Sequence, residues 1–329
     1  MGHAHTPAWH YLRSIGAELV GVLSKRTEVT EAFAAEYGLT AYDSYEALLA
    51  DVDIVDICVP TNLHKDLTLQ AAQAGKHVIC EKPIALSVTD GQAMIAACKQ
   101  AGVHLLIAHV VRFITEYATA KTAIDAGYIG QPRVIRLTRA GYQPRKSDDN
   151  WFVDASRSGG MMLDLMVHDY DYARWLAGDV QRVYARSVRG KRPDAPVDYA
   201  LVTLRFADGS VAHIEGGWAY PPGHFRTSID VAGTDGVIEW RSDDATTLQT
   251  HLLNPHVTAA ADVAVPTAAA ADSPFTAELQ HFYNVITKGT QPIVSADDAL
   301  SALEIGLAAI ASAQTGRPVT LKHTDTAGK

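Results

Sequence analysis

Three stretches of this 329-residue chain carry side chains whose types and spacing suit proton handling at a carbon–oxygen bond. In GKHVICEKP, residues 75–83, an apolar β-rich run delivers Glu81, Lys82 and Pro83 to its carboxyl end. Ligands of open α/β sheets bind outside that edge. A lysine there, between a carboxylate and a proline that fixes the backbone, can donate a proton or polarise a hydroxyl. On a plain surface the same residues would be only a Lys–Glu pair. In SGGMMLDLMVHDYDYARWLAG, residues 158–178, Asp164 and His168 stand at i and i+4 on a predicted helix. Their side chains then face the same way, and the carboxylate orients and charge-stabilises the imidazole, as a general base requires. Asp171 extends this stripe by about one turn, while Leu163, Met166, Val167 and Tyr170 can pack inward. The plainer alternative is an Asp–His pair satisfied within an internal helix face. The loop VPTNLHKD, residues 59–66, runs from a strand end into a helix N-terminus, where Thr61, Asn62 and the helix amides can hold ribose or pyrophosphate oxygens. Thr and Asn are also ordinary helix caps.

A metal reading would join Asp164 and His168 to one of His3, His5 or His10. The D-x-x-x-H pair lacks the second ligand pair and the Cys or Glu spacing of dedicated sites, so no metal is expected.

The elements that must position these residues follow from periodicity. Strand-like runs at 18–24, 52–60, 76–80 and 103–110 alternate with helical stretches at 27–38, 44–51, 64–75 and 87–102. Strands this apolar, each separated by one helix, belong to a parallel sheet covered on both faces. After about residue 120 the rhythm changes to a helix at 115–126, a strand at 133–140, a long helix at 159–177 and two hairpins, turning at Asp208-Gly209 and Asp235-Gly236. On the first hairpin strand Ala200, Val202, Leu204 and Phe206 share one face and Tyr199, Thr203 and Arg205 the other, as in an antiparallel sheet with one face in a core. Residues 258–272 read as an Ala-rich mobile surface loop interrupted by Pro266, and helices at 274–287 and 295–314 close the chain.

Composition limits the partners. With 28 Lys plus Arg against 37 Asp plus Glu, the formal net charge is −9 and no long basic run occurs, which argues against nucleic acid and membrane surfaces. No apolar run reaches the roughly 18 residues of a spanning helix, and the N-terminus lacks a secretory pattern, so a cytoplasmic protein is expected. Cys58, Cys80 and Cys98 read as reduced core residues.

Taken in order, VPTNLHKDLTLQAAQAGKHVICEKPIAL, RFITEYATAKTAIDAGYIGQP, SGGMMLDLMVHDYDYARWLAG and SADDALSALEIGLAAIASAQTGRPVTL resemble the Gfo/Idh/MocA family of NAD(P)-dependent oxidoreductases, with inositol dehydrogenases the nearest in look. The resemblance covers nearly the whole chain. It implies a Rossmann-type parallel-sheet domain over 1–112, a substrate-binding and oligomerisation α+β domain with a large, mainly antiparallel sheet over 113–294, and a C-terminal helix and tail over 295–329 that pack back on the first domain. It also implies catalytic Lys82, Asp164 and His168, with Asp164 and His168 facing substrate alongside His109, Arg112 and Trp151. The cofactor side would be Gly2, Ser24, Lys25, Arg26, Pro60, Thr61, Asn62, His64, Glu81 and Lys82. Where an NAD enzyme carries an acidic residue after its second strand, Ser24-Lys25-Arg26 is neutral and then basic, which suits the 2′-phosphate of NADP better than NAD.

One departure stands out. The chain opens at Met1-Gly2-His3-Ala4-His5, which looks like the tail of a G-x-G-x-x-G fingerprint with Gly2 as its third glycine. The first Rossmann strand is therefore expected upstream of a start placed too far downstream, and its slot between the strands at 18–24 and 52–59. The expected activity is hydride transfer between a nicotinamide cofactor and a hydroxyl-bearing carbon of a sugar or cyclitol, in a homodimer or homotetramer. The competing expectation is a catalytically silent sugar-binding or assembly protein that has lost its cofactor cradle.

Overall fold

The computed structural model describes residues 1–144, 150–188, 199–221, 223–243, 249–252 and 273–321. The Ala-rich stretch read as a loop at 258–272 lies outside the described residues.

The chain begins with a helix, Gly2–Tyr11 (α1). The strand expected over 18–24 is only Gly21–Val22 (β1), and after Thr27–Tyr37 (α2) it pairs in parallel with Thr40–Ala41 (β2). A Cβ on Gly21 would lie 2.3 Å from the Tyr42 ring and 2.6 Å from the Thr40 carbonyl, so only glycine permits this close approach. Ser44 caps Tyr45–Asp51 (α3) by accepting the Ala47 amide at 3.2 Å. Ile54–Ile57 (β3), His64–Gln73 (α4), His77–Glu81 (β4), Val88–Ala101 (α5) and Leu105–Ala108 (β5) then alternate as the apolar runs predicted. β4 lies between β3 and β5, parallel to both, and its Val78, Ile79 and Cys80 are fully buried. β1–β2 and β3–β4–β5 form two separate sheets, with no ladder from β1 to β3 among the described residues.

The following elements are Thr115–Asp125 (α6), Pro132–Ala140 (β6), Ala155–Ser158 (α7), Met161–Asp164 (α8) and Val167–Ala177 (α9). Five strands follow: Val180–Val188 (β7), Tyr199–Phe206 (β8), Val211–Gly217 (β9), Arg226–Gly233 (β10) and Gly236–Arg241 (β11). With Gln249–Leu252 (β12) and Val319–Thr320 (β13) they make an eight-stranded sheet of order β12-β11-β10-β6-β9-β8-β7-β13. Only β6–β9 is parallel; every other neighbouring pair is antiparallel. The alternation expected on β8 holds: Ala200, Val202, Leu204 and Phe206 are buried and Leu201 is exposed. β7 was not anticipated, because its Gln181, Arg182 and Arg186 blur the two-residue period.

The helix expected over 159–177 is broken. Leu165 and Met166 form a turn in which the Met166 amide reaches back to Met161 O at 3.4 Å, and α9 starts afresh behind it. The Met166 side chain lies over Gly216 of β9, where a Cβ would come within 2.4 Å of its Cγ. Helical i, i+4 spacing therefore does not set the separation of Asp164 and His168.

Pro274–Lys288 (α10) and Ala296–Thr315 (α11) end the helical content, and they divide opposite to expectation. The chain forms two compact units: residues 1–85, 89–113 and 267–297, and residues 86–88, 114–266 and 298–329. α10 belongs to the first because its Leu279, Phe282 and Val285 share a core with Ala8 and Trp9 of α1, with Leu12 just after it and with Ile79 of β4. α11 belongs to the second, where Gly306 sits against Leu163 and Tyr170 and the Ser312 hydroxyl accepts the Ala185 amide of β7 at 2.9 Å. The tail expected to return to the first domain thus packs with the large sheet.

Candidate active site

In the first unit, the expected residues gather at the carboxyl ends of β3 and β4. Glu81 closes β4, buried, and its Oε2 accepts the Lys82 amide at 3.1 Å. Burial works against the Glu81 charge, but His5 and the Lys82 ammonium hold the carboxyl below its ordinary range. Lys82 is half-buried and its peptide to Pro83 is cis. His64, at the start of α4 and buried, ties the two loops together: Nδ1 lies 2.9 Å from Pro83 O and Nε2 3.1 Å from Val59 O. Burial pushes its pKa down more than these carbonyls raise it, so the ring is neutral and donates to one of them. Between those anchors run Pro60, Thr61 and Asn62, and the Thr61 hydroxyl is buried with no hydrogen-bond partner among the described residues. Beside them, at the end of β5, His109 is buried, and Arg112 donates from Nη1 to Ile293 O at 2.6 Å.

In the second unit, Asp164 is buried at the end of α8 and His168 is half-buried on the first turn of α9. The turn Trp151–Val153 packs on α8, with Trp151 stacked on Phe152 at 4.0 Å. Asp171 is buried. Two residues earlier, Asp169 holds Arg139 of β6 in a two-pronged ion pair at 2.8 and 3.1 Å, with Tyr117 Oη 3.3 Å from the guanidinium. Burial opposes the Arg139 charge, and Asp169 more than offsets it.

Residues 1–109 match the family profile described as the oxidoreductase family with an NAD-binding Rossmann fold, and residues 117–239 match the GFO/IDH/MocA C-terminal domain. The chain is 33% identical to scyllo-inositol 2-dehydrogenase (NAD(+)) of Bacillus subtilis, over 93% of this chain and 89% of that protein. The chain belongs to the Gfo/Idh/MocA oxidoreductase family. Myo-inositol 2-dehydrogenase of Thermotoga maritima is likewise 33% identical, over 86% of this chain and 84% of its own length. Among solved structures, a probable dehydrogenase from Thermotoga maritima superposes with a TM-score of 0.82 at 28% identity, covering 97% of this chain and 95% of that one. Both levels of comparison agree with the parallel-sheet unit followed by a large, mainly antiparallel sheet.

The remaining candidates of this Gfo/Idh/MocA chain are dispersed. Gly2 starts α1, where an added Cβ would make only ordinary contact with Phe33 at 3.5 Å, so the protein itself does not demand glycine there. Ser24, Lys25 and Arg26 follow β1; the Ser24 amide donates to Thr30 Oγ1 at 2.8 Å, and Lys25 and Arg26 are exposed. Sequence reasoning missed His64 as a clasp, the Arg139–Asp169 pair, and a buried polar group under α1 made of His5, Asp56, Glu81 and Glu278. The available signals were an i, i+4 His5–Trp9 pair and an i, i+2 Asp56–Cys58 pair, which share a helix face and a strand face respectively. Cys58, expected in the apolar core, is half-buried beside that group.

Proposed function

We propose that this protein transfers hydride between NAD(P) and a hydroxyl-bearing carbon of a cyclitol or sugar, with an inositol the first candidate. The observation that carries the reading is Lys82 at the carboxyl end of the buried central strand, its own amide held by Glu81 Oε2 and the carbonyl of the following Pro83 held by His64. The inositol dehydrogenases among its relatives support the substrate class. The buried, unpartnered Thr61 hydroxyl at the strand edge is a polar atom that a cofactor hydroxyl or phosphate would satisfy, so these residues fit the dinucleotide. Pro60, Thr61, Asn62 and Gly2 would hold it, with Ser24, Lys25 and Arg26 toward its ribose end; His64 and Glu81 would position the loop. Bound nicotinamide supplies the hydride acceptor or donor. His168, assisted by Asp164, takes the hydroxyl proton, and Lys82 donates a hydrogen bond to the oxygen as charge develops. His109, Arg112 and Trp151 line the substrate.

The exposed Lys25 and Arg26 favour NADPH at least as much as NADH. Tyr199, Leu201, Val188 and Val211 lie on the outer face of the eight-stranded sheet, with Leu201 54% and Val188 66% exposed, which supports a homo-oligomer packed through that face. The free cysteines suit the reducing cytoplasm. The test is reduction of each cofactor with a panel of cyclitols, hexoses and their acids. Lys82→Ala and His168→Ala should each lower turnover by about 100-fold or more, and Asp164→Asn by less. Near-normal turnover in both alanine variants rejects the roles, and no cofactor reduction by the parent with any of these alcohols would reject the activity.

A further inference from the structure

His5, Asp56 and Cys58, grouped beneath α1, have no part in that chemistry. His5 comes from α1, while Asp56 and Cys58 come from β3 and the residue just beyond it, on one strand face. His5 Nδ1 lies 2.9 Å from Asp56 Oδ2 and 3.5 Å from Cys58 Sγ, and Sγ lies 3.4 Å from Asp56 Oδ1. Each Asp56 oxygen thus faces one of the other two donors, and one donor atom from each residue can be chosen with all three within 4.8 Å of one another. Bonds of about 2.0 Å to nitrogen or oxygen and about 2.3 Å to sulfur put the corners of a tetrahedron about 3.3–3.6 Å apart. The 3.5 Å edge from His5 Nδ1 to Cys58 Sγ already has that length, and a turn of the Asp56 carboxylate brings one oxygen to the third corner.

The surroundings match what holds such ligands. Glu81 Oε1 faces the other ring nitrogen of His5 at 3.2 Å, and Trp9 Nε1 donates to Asp56 Oδ2 at 2.8 Å, so both side chains are oriented from behind. Glu278 of α10 is an independent sign that something is bound: its side chain is completely buried and neither carboxylate oxygen has a hydrogen-bond partner among the described residues. It is close enough to Glu81, His5 and Asp56 to feel their charges. Two carboxylates, Asp56 and Glu81, flank the imidazole, and Asp56 and Cys58 remain partly open to solvent as a way in.

We propose that His5, Asp56 and Cys58 bind one divalent cation of the zinc class, which clamps α1 to β3. The mixed nitrogen, sulfur and oxygen set suits zinc better than calcium or magnesium, which take oxygen ligands. A water fills the fourth position. On binding, the Cys58 thiol and the Nδ1–H that His5 donates to Asp56 each give a proton to solvent as the Sγ–metal and Nδ1–metal bonds form; His5 keeps its proton on Nε2, toward Glu81.

The experiment uses the full chain, free of any metal-binding tag, stripped with chelator and titrated with Zn²⁺ and separately with Co²⁺. Expected are one equivalent of metal by elemental analysis, tetrahedral Co²⁺ bands, and a thiolate-to-cobalt charge-transfer band. Cys58→Ser, which keeps the volume, should abolish that band and weaken affinity by at least about tenfold, as should Asp56→Asn without loss of fold by circular dichroism. Cys98→Ser, on α5, should change nothing. No stoichiometric binding, or binding whose spectrum and affinity survive Cys58→Ser, would overturn the site. Should His5→Gln fail to fold, the Cys58 and Asp56 variants still decide it.

Discussion

The two units treat buried charge differently. In the second, Arg139 and Asp169 meet in a two-pronged pair beside Tyr117, and the sheet face around them is Ile135, Leu137, Val202, Leu204 and Ile214, all buried. In the first, five polar or acidic side chains from α1, β3 and the residue after it, β4 and α10 crowd under one helix, and one of them, Glu278, has no hydrogen-bond partner among the described residues. A satisfied ion pair supports the fold around it, whereas an unsatisfied carboxylate is kept only at a cost, which is why the first unit is where a ligand is sought.

The largest effect should come from cutting the satisfied pair. Asp169→Ala strands the buried Arg139 guanidinium and should lower stability by about 3–5 kcal/mol in urea unfolding, with Asp169→Asn milder. A loss under about 1 kcal/mol would mean that Tyr117 or water serves Arg139 as well, and the contrast between the units would weaken.

The opposite outcome is expected across the molecule. In metal-free protein burial keeps the Glu278 carboxyl protonated, and it has no hydrogen-bond partner among the described residues, so the near-isosteric Glu278→Gln should leave stability level within about 1 kcal/mol. A clear loss in the same urea assay would reveal a partner and break the comparison.

A smaller and pH-dependent effect belongs to His64. Burial depresses its folded pKa, so below the ordinary histidine value of about 6.5 the unfolded chain binds a proton that the folded chain refuses. The His64 contribution should be level above that pH and fall as the pH drops through it. His64→Asn should reduce this acid-side slope, though not erase it, since His77 and His281 are shifted down by burial as well. An unchanged slope between pH 7 and about 5 would show that His64 is protonated in the folded state, donating to Val59 O and Pro83 O together.

Much of this was readable from local pattern. The runs that became β3, β4 and β5 are apolar and bounded by glycine-ended helices, and the β8 alternation named its buried residues one by one. Lys82 could be placed at a strand's carboxyl end because the strand itself was unmistakable. Asp164 and His168 were found as a pair, but the turn at Leu165–Met166 was not, since nothing in a sequence of good helix formers announces that Met166 must lie over a glycine of a strand fifty residues later.

The sequence by itself determined the alternation of helix and strand, the inward faces, the acidic balance and the family, because each depends on neighbours a few residues apart or on an ordered set of motifs. Tertiary structure alone decided which final helix joins which unit, that His64 clasps two loops, and that His5 meets Asp56 and Cys58 across more than fifty positions. Periodicity says which face of an element is buried. What that face meets depends on packing between elements distant in the chain, and only the assembled core brings those donors within reach of one another.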